Sequence, residues 1–129
     1  MKDLKILLVD DDESFLTIIT KTIESWGYEV ISLFDGQEAI EVIEGKGADI
    51  IILDYLMPKM DGISLLTEIR KIDSKIPVIM FSSIAGETIE GASELDVCFF
   101  IPKHSTVINV GESLRTAVRI AEKKLGNGA

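Results

Sequence analysis

Short apolar runs alternate along this chain with longer stretches in which apolar residues return every three or four positions. Lys5–Val9 reads as a strand, and residues 14–26 as a helix with Phe15, Ile19, Ile23 and Trp26 on one face, stopped by Gly27. Residues 29–34 predict a second strand and residues 37–44 a second helix, closed by the Gly45-Lys46-Gly47 turn. Residues 49–54 predict a third strand, apolar throughout between Asp49 and Asp54, the mark of a strand covered on both faces. A helix over 61–72 follows, with Ile63, Leu66, Ile69 and Arg70 at helical spacing, then strands over 77–81 and 97–102. Val107, Val110, Leu114, Val118 and Ala121 line one side of a last helix over 107–125. Between the last two strands, residues 87–95 make a weak helix interrupted by Gly91.

Five strands alternating with five helices imply a doubly wound α/β fold, a parallel sheet with helices on both faces. Right-handed crossovers leave few arrangements, and the flavodoxin-like strand order 2-1-3-4-5 is the one expected for this (βα)5 chain. That order puts the fifth strand at an edge, where Pro102 and its missing donor are tolerated. Residues 1–125 then form a single domain and residues 126–129 a disordered tail.

At 129 residues there is room for one core, and an apolar share of 47% is enough to fill it. The net charge of −9 makes nucleic acid a poor direct partner, because its phosphates would be repelled. The lone Cys98 lies in an apolar run and reads as buried core filler. No apolar run approaches the roughly 20 residues needed to span a bilayer. The first apolar run is too short for a signal peptide and ends in three aspartates, so a soluble cytoplasmic protein is expected.

In an open α/β sheet, chemistry sits beyond the carboxyl ends of the strands. Those ends carry Asp10 and Asp11 after the first strand, Asp54 at the third, Ser82 at the fourth and Lys103 at the fifth. Asp12 fits better as a cap for the following helix. Three carboxylates on one rim repel one another unless a cation lies among them, and hard oxygen donors suit Mg²⁺. With the cation bound, the Asp54 carboxylate can attack a phosphorus atom. Lys103 would neutralise charge on the transferring group, and Ser82 would hydrogen-bond one of its oxygens.

The runs Ile6-Leu7-Leu8-Val9-Asp10-Asp11, Asp54-Tyr55-Leu56-Met57-Pro58-Lys59-Met60-Asp61-Gly62 and Pro77-Val78-Ile79-Met80-Phe81-Ser82-Ser83, with Lys103, resemble bacterial response-regulator receiver domains over about residues 3–124. The resemblance implies that Asp10 and Asp11 hold Mg²⁺, with Asp54 and the main-chain carbonyl of Leu56 completing the protein ligands. It implies that Asp54 takes a phosphoryl group from a sensor histidine kinase or histidine phosphotransfer protein. Ser82 fills the position of the family's switch hydroxyl and Phe100 that of its switch aromatic, together controlling an output protein or domain. Catalysis would be confined to phosphorylation and dephosphorylation of Asp54 itself.

Two features depart from the family pattern. The family usually places Pro directly after the Lys, but here His104 follows Lys103 and Pro102 precedes it. The weak helix over 87–95 is the other, and it bears on the shape of the output face. Two rival classes are a small-molecule enzyme and a receiver-like module that is never phosphorylated. Against a flavodoxin, the segment after the first strand is acidic; against a haloacid-dehalogenase-type phosphatase, Asp54-Tyr55-Leu56 lacks the second Asp. Against a degenerate module, every matched site position is filled.

Overall fold

The computed structural model describes residues 4–54, 62–82, 96–102 and 107–127. In chain order these form β1 (Lys5–Val9), α1 (Glu13–Glu24), β2 (Glu29–Leu33), α2 (Gly36–Glu44), β3 (Ile50–Asp54), α3 (Gly62–Ile72), β4 (Val78–Ser82), β5 (Phe99–Pro102) and α4 (Val107–Asn127). The five strands make one parallel sheet in the order β2-β1-β3-β4-β5, as the alternation of elements predicts.

Alternate residues of each central strand feed two separate cores. On one face Ile6, Leu8, Ile50, Ile52, Ile79 and Phe81 meet α1 through Leu16, Ile19 and Ile23, and α4 through Val110, Leu114, Val118 and Ala121. On the other, Leu7, Val9, Ile51, Leu53, Val78 and Met80 meet α2 through Ala39 and Ile43, and α3 through Leu65, Leu66 and Ile69. This double coverage explains why the inner strands read as unbroken apolar runs. Burying each of the Leu, Ile, Val, Met and Phe side chains among these is worth about 1.5–3 kcal/mol relative to exposure, so the sheet is a firm base for whatever its rim carries.

Helix α1 ends at Glu24, and the turn after it closes on a left-handed residue: Gly27 has φ 98°, and its N–H donates to the Glu24 carbonyl at 3.0 Å. Opposite the site, the half-buried Arg70 ties α3 to the turns beside β4 and β5. Its guanidinium donates to the carbonyls of Ile76 at 2.7 Å, Asp96 at 3.1 Å and Asp73 at 3.4 Å. Burial lowers its pKa, opposed by Asp96, Cys98 and Asp73.

Several details differ from the sequence reading, among them the ends of α1 at Glu24 rather than Trp26 and of β2 at Leu33 rather than Phe34. Cys98 is only partly buried: β5 begins at Phe99, two residues after the expected start at Val97, and Cys98 lies in the turn leading into it, its N–H donating to the Val78 carbonyl at 2.8 Å. Helix α4 runs through Gly126 to Asn127, past the predicted end at Leu125, because Gly126 keeps φ out of the left-handed region that would stop the helix. Strand β4 is shifted by one residue, which takes Ser82 into the strand. The expected weak helix over 87–95 lies outside the described residues.

Candidate functional site

Parallel register brings the acidic residues together. Val9 pairs with Leu53 across β1 and β3, so the next residues, Asp10 and Asp54, emerge side by side at the carboxyl rim. Asp11 follows in the turn before α1. Single carboxylate oxygens of Asp10, Asp11 and Asp54 all lie within 4.8 Å of one another. Asp10 is fully buried and Asp54 is 4% exposed, whereas Asp11 is exposed.

Local hydrogen bonds fix this corner. The Asp10 N–H donates to the Leu33 carbonyl of β2 at 3.2 Å, and Asp10 Oδ1 accepts from the Asp12 N–H at 2.9 Å. Asp12 caps α1, its Oδ1 accepting from the Phe15 N–H at 3.1 Å. This divides the acidic run as the sequence suggests: Asp10 and Asp11 face the cluster, and Asp12 serves the helix.

The donor set fits a hard divalent cation. It consists only of carboxylates, two of them buried, and carboxylate oxygens are the hard donors that such a cation takes. Mg²⁺ bound there would be held by Asp10, Asp11 and Asp54 and would offset their charge. One open side toward solvent at Asp11 leaves room for waters or phosphate oxygens in the coordination shell.

The remaining predicted positions are only partly placed. The backbone of Ser82 closes β4 opposite Pro102 of β5, on the same rim as Asp54, whose Cα partner is the preceding Phe81. Phe100 lies in β5 opposite Met80 and is 40% exposed, so its ring stands at the sheet edge rather than in the core. Leu56, Lys103 and His104 lie outside the described residues; Lys103 directly follows Pro102 at the carboxyl end of β5. Sequence reasoning missed one contact at this site: Phe15, assigned only to the apolar face of α1, meets Phe81 edge-on. Its position three residues after the cap is visible in the sequence, but its partner 66 residues on (81 − 15) is not.

Comparison with known proteins places this geometry. The family model described as the response regulator receiver domain matches residues 6–115. Over 129 aligned residues the chain is 32% identical to a probable transcriptional regulator, ycf27, of Porphyridium aerugineum, covering 98% of this chain and 53% of that protein. It is 39% identical over 79 residues to the alkaline phosphatase synthesis transcriptional regulatory protein PhoP of Bacillus subtilis, covering 61% of this chain and 33% of that protein. The chain thus spans about half or less of the length of these relatives. Among solved structures it is similar to a chemotaxis response regulator of Vibrio cholerae, with TM-score 0.80, 26% identity, and 92% and 98% of the two chains covered. It is also similar to the receiver domain of a sensor histidine kinase from Pseudomonas aeruginosa that holds a magnesium ion in its active-site cleft, with TM-score 0.75, 27% identity, and 93% and 98% covered.

Proposed function

This chain belongs to the receiver-domain family of two-component response regulators, and from that premise we propose that it is a phosphorylation switch whose acceptor is Asp54. The observation that carries the reading is the convergence of Asp10, Asp11 and Asp54, with carboxylate oxygens within 4.8 Å at the ends of β1 and β3. A single acid at a strand end has ordinary explanations; three on one rim, two of them buried, favour a cation and a phosphoryl group.

In the proposed reaction an Asp54 carboxylate oxygen attacks the phosphorus of a phosphohistidine on a sensor histidine kinase or histidine phosphotransfer protein. A P–O bond forms, the P–N bond breaks, and the departing imidazole takes up a proton. Mg²⁺ at the cluster would offset negative charge on the acids and the transferring group. Burial of Asp54 limits its hydration, which favours attack by its carboxylate once the donor is bound. Lys103, next after the rim residue Pro102, is assigned to charge neutralisation, and the Ser82 hydroxyl to a hydrogen bond with a phosphoryl oxygen. The carbonyl of Leu56 is assigned to the cation.

The output follows from the same rim. Drawing Ser82 toward the phosphoryl group moves the end of β4, and Phe100 on the adjacent strand is exposed enough to change its packing in response. The Ser82/Phe100 face would then engage an output protein or domain. No reaction beyond phosphorylation and dephosphorylation of Asp54 is proposed. With a net charge of −9 the chain itself is not proposed to touch nucleic acid. Among the described residues no helix is long and apolar enough to cross a membrane, and the proposed compartment is the cytoplasm. Exposing the purified protein to a small acyl-phosphate donor, with Mg²⁺ and with a chelator, tests the reading by intact-mass spectrometry. One added phosphoryl group with Mg²⁺ and none with chelator supports it; no adduct under either condition contradicts it.

A further inference from the structure

The path of contacts that leaves the acidic cluster at Asp10 returns to it at Asp54 by way of two aromatic rings. Asp10 holds the Asp12 N–H, and the Asp12 carboxylate holds the Phe15 N–H. The Phe15 ring meets the Phe81 ring edge-on, with centroids 5.0 Å apart and planes at 88°. Phe81 is the Cα partner of Asp54.

The three acids of the cluster are not held alike. Asp10 and Asp54 are buried at the ends of paired strands, and Phe81 is fully buried within the sheet core. Asp11 is exposed and belongs to no strand, so its placement depends on how the turn between β1 and α1 is held. Phe15, partly buried in the first turn of α1, is the ring that seats this turn on β4. The body of the helix is anchored separately by Leu16, Ile19 and Ile23. The ring contact and the helix anchors are thus carried by different residues.

We propose that Phe15 is a positioning residue for divalent-cation binding: seated on Phe81, its ring holds the turn that places Asp11 against Asp10 and Asp54. The inference rests on the cation site of the proposed function and goes beyond it, since Phe15 is not among the carboxylates that would hold the cation. Its loss should weaken Mg²⁺ binding by about threefold to tenfold, less than loss of a ligand and in the range of one aromatic edge-to-face contact.

The test is a Mg²⁺ titration of the whole chain followed by the backbone amide resonances of Asp12 and Phe15. It compares wild type with Phe15→Ala, Phe15→Leu, Phe15→Tyr and Ile18→Ala, the last removing exposed apolar surface from the same helix. Phe15→Ala and Phe15→Leu are expected to bind more weakly, with the Asp12 amide displaced even without metal. Phe15→Tyr, which keeps the ring, and Ile18→Ala should match wild type. Should Phe15→Ala not fold, Phe15→Leu, which keeps apolar volume, decides. Unchanged affinity in the ring-less variants, or an equal loss in Ile18→Ala, overturns this inference alone. A wild type whose amides do not respond to Mg²⁺ overturns the functional reading, and this inference with it.

Discussion

The main-chain N–H of Asp12 donates to the Asp10 carboxylate at 2.9 Å, while the Asp12 side chain turns the other way to cap α1. Adjacent acids of the same type thus have opposite duties, one toward the cation cluster and one toward the helix. Alanine at Asp12 keeps the main-chain N–H and loses only the cap. The expected cost is about 1 kcal/mol of stability with Mg²⁺ affinity little changed. Asp11→Ala should show the reverse: near-native stability and lost Mg²⁺ binding. Urea unfolding and calorimetric Mg²⁺ titration of the two variants check this, and the opposite pattern would exchange the assignments.

Acidification should weaken Mg²⁺ binding, since every protein side chain in the cluster binds only when ionised. The direction follows from mass action: protons compete with the cation for the carboxylates, so affinity falls as the solution is acidified. Affinity measured at several pH values in a non-chelating buffer reads it out.

Arg70 reaches three carbonyls that would otherwise lie in a partly buried corner without it. Arg70→Ala is expected to cost about 1.5–3 kcal/mol, the range for hydrogen bonds from a charged donor. Lysine cannot reproduce the fork that spans Ile76 and Asp96, so Arg70→Lys should recover only part of the loss. Because the clamp lies at the end of the sheet opposite the acidic cluster, Mg²⁺ affinity should survive in both variants, as titration of the folded proteins would show.

Leu114, fully buried, joins α4 to the same core face as α1. Its replacement by alanine should cost about 2–5 kcal/mol through lost burial and the cavity left behind. Chemical denaturation of Leu114→Ala is the direct measure; an effect below 1 kcal/mol, at the margin of a surface substitution, would mean that α4 contributes little to the fold.

Gly27→Ala should cost about 1–2 kcal/mol, because φ is 98° there and an added Cβ is strained whatever space surrounds it. Thermal unfolding reads this directly.

The architecture was legible because the period of the apolar pattern changes at nearly every element boundary. Ile50–Asp54 shows the strongest case, apolar until its last residue, a buried aspartate where the rim begins. From that boundary the convergence of Asp10, Asp11 and Asp54 could be read before any coordinate. Boundaries were less legible where two elements share composition. Val97 and Cys98 continue the apolar run of β5, yet they form the turn that precedes it, because the turn at Asp96, with φ 56°, sets where pairing with β4 can begin. Arg70 stood out as a charge among apolar helical positions, but its three carbonyl partners come from segments brought together only by the fold. The Phe15–Phe81 contact was hidden for the same reason: periodicity assigns each ring to a core face and cannot say which rings meet.

The measurement closest to the central claim is peptide-mapped phosphorylation of wild type and Asp54→Asn after incubation with an acyl-phosphate donor and Mg²⁺. Asparagine keeps the size of the buried side chain but removes the nucleophilic carboxylate at a position only 4% exposed. The account predicts one phosphoryl group on wild type, mapped to the peptide that carries Asp54, and none on the variant. An equal yield in Asp54→Asn, or a phosphoryl group mapped elsewhere in wild type, would contradict it.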